Sequence, residues 1–262
     1  MTLQLLLAPA IGSARGRARA ELLERALTAE LGRPVVIRVA SSYGDLEKEA
    51  LSGSAHLVWA PPAVCAKLEP SSRRIFKSVR HGQSVYRSAI VVRTDEQRDL
   101  DGLSGLRAVW VDRLSMGGHL LARHHMRDRG MDPMKIFREQ RFVGSYPETL
   151  REVLFQTADV TAVTVYGEDR EDLDEALAGF AGRTQALRLA ALAVTRECPT
   201  DALVLTGALT PAQVAHLLDR LFPPREGGRS PAGLCLAFEA EGFVEADAAE
   251  YADVRKMLEP DE

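Results

Sequence analysis

The chain has 262 residues, room for one or two domains and a sizeable buried core, which excludes a small scaffold dependent on disulfide staples. Hydrophobic residues make up 46% and charged residues 27%, so a disordered or fibrous chain is excluded as well. The 33 Lys and Arg against 37 Asp and Glu leave a formal net charge of -4, and no global positive field exists to hold a nucleic acid.

Taken in order, short apolar runs alternate with longer amphipathic segments, the pattern of βα units around mostly parallel sheets. A strand is expected at 3–8 and a helix at 14–31, with Leu22, Leu23, Ala26, Leu27 and Ala29 as its apolar stripe and Gly32-Arg33-Pro34 as its stop. A strand at 35–40, a helix at 44–52 and a strand at 56–59 follow, and Pro61-Pro62 opens a further short helix. Extended segments at 74–79 and 85–93 come next, the second a long β-branched run. The rhythm then restarts with strands at 106–111, 136–142, 159–165 and 187–194, interleaved with helices at 117–129, 147–155 and 168–180. The tail holds a Pro-Thr-Asp turn at 199–201, a strand at 202–205, a helix at 211–221, a Gly-rich loop at 223–230 and a last helix at 248–258.

No apolar run reaches the 18 or so residues of a membrane span. The first residues lack the basic region of a secretory signal, since Arg15, Arg17 and Arg19 follow the apolar run instead of preceding it. A cytoplasmic protein is therefore expected. Cys65, Cys198 and Cys235 are odd in number and far apart, and they read as structural thiols.

Several motifs in a fixed order carry a resemblance. They are Ser42-Tyr43 before a helix, then Gly53-Ser54-Ala55-His56-Leu57-Val58-Trp59-Ala60-Pro61-Pro62, then Tyr86-Arg87-Ser88-Ala89-Ile90. Leu103-Ser104-Gly105-Leu106-Arg107 precedes Ser115-Met116-Gly117-Gly118, and Gly144-Ser145-Tyr146-Pro147-Glu148, Ala158-Asp159-Val160-Thr161-Ala162-Val163, Cys198-Pro199-Thr200-Asp201 and Tyr251-Ala252-Asp253-Val254-Arg255 complete the series. In this order they resemble the phosphate, phosphite and phosphonate substrate-binding proteins of ABC transporters.

The resemblance implies an α/β, two-lobed type II periplasmic-binding-protein-like fold, with mixed sheets flanked by helices and lobes joined by two crossover strands. Lobe I is expected to be discontinuous, residues 1–88 and 192–262, with lobe II, 89–191, inserted and 85–93 and 187–194 as the crossovers. It further implies non-catalytic binding of a small anionic solute in an interlobe cleft. The ligand-binding residues it implies are Tyr43, Tyr86, Ser115, Met116, Gly117, Tyr146 and Thr164. A helix N-terminus presents unpaired N–H groups to an oxyanion, and the turn 115–118 stands at one. Two positions depart from the family: Tyr146-Pro147 replaces a His, and Thr164 replaces an acidic residue that would pair with a ligand amine, so an aminophosphonate is a poor fit.

Enzymatic motifs are missing from the sequence: there is no nucleophile elbow, phosphate loop or HExxH. His119, His124 and His125 share a predicted helix, but spacings of five and one do not set two imidazoles on one face, so no metal and no cofactor is expected. The acidic run Glu168, Asp169, Glu171, Asp172, Asp174 and Glu175 reads as a solvated helix face. A cytoplasmic relative of transport receptors suits a sensor or regulatory binding protein. The alternatives are a scaffold that has lost the ancestral ligand and docks a signalling protein, and a menaquinone-pathway-type enzyme on the same fold.

Overall fold

The computed structural model describes residues 2–8, 13–96, 99–223 and 230–258. In chain order it runs β1 (Leu3–Leu7), α1 (Ser13–Leu31), β2 (Val35–Val39), α2 (Tyr43–Leu51), β3 (Leu57–Ala60), α3 (Pro62–Leu68), β4 (Arg74–Val79), β5 (Val85–Arg93) and β6 (Arg107–Trp110). A π-helical turn, Met116–Leu120, continues without a break into α4 (Leu121–Arg127). Then come α5 (Pro133–Ile136), β7 (Glu139–Phe142), α6 (Tyr146–Leu154), β8 (Thr161–Val165), α7 (Arg170–Ala181), α8 (Arg183–Ala186) and β9 (Leu189–Val194). The tail comprises β10 (Cys198–Pro199), β11 (Ala202–Leu205), α9 (Pro211–Leu221), α10 (Ala232–Ala237), β12 (Gly242–Glu245) and α11 (Ala248–Leu258). Among the described residues no helix is long and apolar enough to cross a membrane.

The chain forms two compact units, Met1–Ser84 with Pro199–Lys256, and Val85–Cys198 with the residues from Met257 on. The chain thus passes between units at Ser84/Val85 and at Cys198/Pro199, and the apolar segment β9 lies wholly inside the second unit.

The first unit is built on a sheet of order β12-β4-β11-β3-β1-β2. Only its β1, β2 and β3 run parallel; β11 is antiparallel to β3 and β4, and β12 to β4. The sheet is therefore mixed, where alternating βα units predicted a mostly parallel one: β4 and β11 meet antiparallel because the chain returns from the second unit between them. Leu3, Leu5 and Leu7 share one face, by the two-residue period of a strand, and pack with Leu23, Leu27 and Leu31 of α1, Leu217 and Leu221 of α9, and Leu234 of α10. Leu22 and Ala29 instead face solvent, so the apolar stripe of α1 is narrower than expected. Trp59 stacks on Phe238 at 4.1 Å, and Phe76 on Phe222 at 3.7 Å.

In the second unit β5 pairs antiparallel with β8 and β9. On the far side of β8, β6 joins through the Ala108–Val160 bridge and then pairs parallel with β7. Alternate residues of β5 serve two cores. Ile90 and Val92 pack with Ala162, Trp110, and Ala122 and Met126 of α4, while Ala89 and Val91 pack with Val163, Leu150 and Val153 of α6, and Leu177 of α7. This is why 85–93 reads as an unbroken apolar run: both faces of the strand are covered.

Three local expectations need correcting. Ile136 closes the short helix α5, capped by Asp132 with Pro133 at its first position, and the strand begins only at Glu139. Pro199, expected to open a turn at 199–201, instead pairs on β5 with Cys198 as a two-residue strand. The expected helix from Gly117 begins one residue earlier, in π form. Most of the Gly-rich loop at 223–230 lies outside the described residues.

Candidate functional site

The candidate site begins at the end of β6. After Trp110 the chain turns through Val111–Ser115, and the Asp112 carboxylate accepts the N–H of Leu114 at 2.8 Å. Ser115 then caps the helical run: its extended backbone and its Oγ, which accepts the Gly118 N–H at 3.2 Å, satisfy one of the helix's leading amides. The wide ring is real π geometry, since Leu120 N–H donates to Ser115 O at 3.0 Å and Leu121 N–H reaches Met116 O. Such turns are rare and frequent at functional sites.

This arrangement leaves the first two amides of the run without an internal partner. Among the described residues nothing accepts the N–H groups of Met116 and Gly117, which open the run of 116–127. The partial positive charge of the helix start is centred on them. Met116 can contribute only this N–H, because its thioether side chain carries no donor and the residue as a whole is buried.

Both glycines are there for space. A Cβ on Gly118 would lie 2.5 Å from Val111 Cγ2, so the helix start presses on the end of its own strand. A Cβ on Gly117 would lie 2.2 Å from Thr164 Oγ1 and 2.9 Å from Tyr146 Oη. Those two hydroxyls are bonded to each other at 2.6 Å. Thr164 comes from β8, and Tyr146 is the first residue of α6, its ring 4.7 Å from Phe180.

Directly across from Thr164 on β5 stands Ser88, whose buried Oγ donates to Gly117 O at 2.6 Å. One strand position pair further along the same face, Tyr86 meets Tyr166 edge-on at 6.3 Å. The hydroxyls of Ser115, Tyr146 and Thr164 thus surround the start of the helix, and Ser88 beneath them donates its proton to Gly117 O. This helix start can hydrogen-bond an anion without an ion pair.

Of the seven residues expected from the sequence, the structure gathers Ser115, Met116, Gly117, Tyr146 and Thr164 around one turn. Tyr86 lies on the same sheet face but is 6% exposed against Tyr166. Tyr43 belongs to the first unit, at the first position of α2 behind the Ser42 cap, where Ser41 and Ser42 hydrogen-bond Asp45 and hold its carboxyl below the usual carboxylate range. Ser88 and Tyr166 were missed. The alternation Tyr86, Ser88, Ile90 carried the signal, but only pairing with β8 shows that Ser88 faces Thr164. Among the described residues no group of three or more His, Cys, Asp or Glu is arranged for a metal ion.

Residues 5–251 match the family described as the phosphonate periplasmic substrate-binding protein of ABC transporters. The chain belongs to that family. No curated protein matches it in sequence. Among solved structures it is similar to PhnD1 from Prochlorococcus marinus in complex with methylphosphonate, at 17% identity and a TM-score of 0.77, over 98% of this chain and 96% of that one. A binding-protein component of a phosphonate ABC transporter from Pseudomonas aeruginosa gives 16%, 0.76, 98% and 85%. A Xanthomonas citri protein solved with ATP gives 18%, 0.77, 98% and 99%. At these identities the structures establish the shared two-lobed binding-protein fold. The family's description is of periplasmic proteins and lends no support to the cytoplasmic, signalling role expected from the sequence.

Proposed function

We propose that this protein binds a small tetrahedral oxyanion of the phosphonate or phosphate type, without turnover, at the turn 115–118 of its second unit. One observation carries the reading: the N–H groups of Met116 and Gly117 have no acceptor among the described residues, at a helix start flanked by the Ser115 hydroxyl and the Tyr146–Thr164 pair. Backbone amides and the helix dipole hold oxyanions without a lysine. The family and the methylphosphonate-bound relative support the same ligand class. Tyr146 and Thr164 are both uncharged, so this face offers no counterion to an amino substituent on the ligand, and an unsubstituted oxyanion or a simple alkylphosphonate fits it best.

The test is thermal unfolding with phosphate, phosphite, methylphosphonate, sulfate and ATP in turn. A ligand at a hundred times its Kd stabilises by about 2.7 kcal/mol, a rise of several degrees for a chain of this length. The variant Ser115→Asp keeps a good helix cap but sets a carboxylate at the anion position. It should abolish the shift; a shift equal to that of the wild type refutes the assignment.

A further inference from the structure

The helix body and the loop that leads into it are held by different means. Gly117 is fixed by Ser88, Thr164 and Tyr146, and Gly118 by Val111. The middle of the loop has no such packing: Arg113 is exposed, and Leu114 is only half-buried. It is held by the Asp112 carboxylate, by the Ser115 N–H, which donates to Asp112 O at 3.1 Å, and by one buried ring. Nδ1 of His119 lies 3.1 Å from Arg113 O, and the imidazole, 6% exposed, sits 5.5 Å from Trp110 and edge-on to Phe142 at 5.1 Å. The Arg113 guanidinium lies over the same Phe142 ring at 4.8 Å, so both ends of the loop residue are tied to what His119 packs against.

A carbonyl oxygen only accepts, so Nδ1 must carry the proton in this contact. The ring is otherwise neutral at pH 7: burial first, then the charges of Arg123 and Arg113, hold it down to about 4 against the opposing effect of the carbonyl bond. The π register matters here. The hydrogen-bonded ring closes from i to i+5, one residue wider than in an α-helix, and His119 lies inside that turn while its ring reaches back to the loop at Arg113.

Resting on the site reading above, we propose that His119 is a positioning residue for oxyanion binding: through its Nδ1–H bond to Arg113 O it fixes the loop before the helix and thereby the direction of the Met116 N–H group that follows it. His119 itself does not touch the anion.

The experiment compares calorimetric affinity for methylphosphonate in wild type, His119→Phe and His119→Asn, with the unfolding midpoint of each. Phe keeps the ring contacts with Trp110 and Phe142 and loses the donor; Asn keeps a donor near the Nδ1 position and loses the ring. His119→Phe should bind at least tenfold more weakly, with a midpoint within a few degrees of wild type, and His119→Asn should bind within threefold of wild type. Phe binding within twofold of wild type, or Asn binding no better than Phe, overturns the proposal. A wild type that takes up none of methylphosphonate, phosphate and sulfate overturns the site reading and this proposal with it. If the Phe variant does not fold, long-range proton–nitrogen correlation spectra of the wild type decide: the Nδ1–H tautomer is expected with and without methylphosphonate, and an Nε2–H tautomer refutes the bond.

Discussion

Replacing Gly117 by alanine adds a single methyl group at the most crowded point of the site. The new Cβ would sit 2.2 Å from Thr164 Oγ1, short of ordinary contact at 3.4 Å, so something must give by about 1 Å. Rotating Thr164 away breaks its 2.6 Å bond to Tyr146, whose ring is pinned by Phe180. Withdrawing the turn instead breaks the Ser88 bond to Gly117 O. Overpacking costs about 1–3 kcal/mol and the lost hydrogen bond about 1 more, a total of roughly 2–4 kcal/mol. Thermal unfolding should show a midpoint lowered by roughly 5–15 °C. The attribution to Thr164 is checked with a double-mutant cycle, because Thr164→Ala removes the oxygen the methyl group meets. Gly117→Ala with Thr164→Ala should be at least about 1 kcal/mol more stable than the two single effects predict. Additivity within about 0.5 kcal/mol would refute the steric argument.

Further outcomes follow from neighbouring groups. Ser88→Ala leaves Gly117 O buried without its donor and should cost about 1–3 kcal/mol in chemical denaturation, with methylphosphonate affinity falling alongside. Stability should also depend on acid in two windows. His119 has a folded pKa of about 4, below its ordinary 6.5, so its stabilisation is complete above pH 6.5 and is lost as pH falls to 4, by about 3 kcal/mol; His119→Phe should flatten that slope. Asp159, held down to about 2 chiefly by its hydrogen bonds to Arg107, adds a further loss between pH 4 and 2, which Asp159→Asn should remove.

Much of the fold is legible in the chain because local signals agree. Strands 74–79, 85–93 and 202–205 and helices 211–221 and 248–258 fall where the apolar runs, prolines and caps put them. The Thr210 capping box with Pro211 is one such signal. The segments that escaped are those with little to bury: β12 is a half-exposed edge strand, and α10 is six residues long. In the site, Ser115 and Gly117 are legible through motif order, and Gly117 also through the turn it makes. Ser88 is not, because its facing Thr164 depends on the register of two strands far apart in sequence. Nor is His119. Counted with His124 and His125 as a spacing problem for metal ligands, it lies buried against Trp110 and Phe142, in a π turn that no periodicity in the sequence announces.

The proposed anion face is made of hydroxyls and peptide N–H groups, and it holds no carboxylate, imidazole or amine. The proton that matters most to the interaction is then the ligand's own. Any change in affinity from neutral to mildly alkaline solution then belongs to the solute, which gains its second negative charge there, and the binding curve becomes a titration of the ligand instead of the receptor.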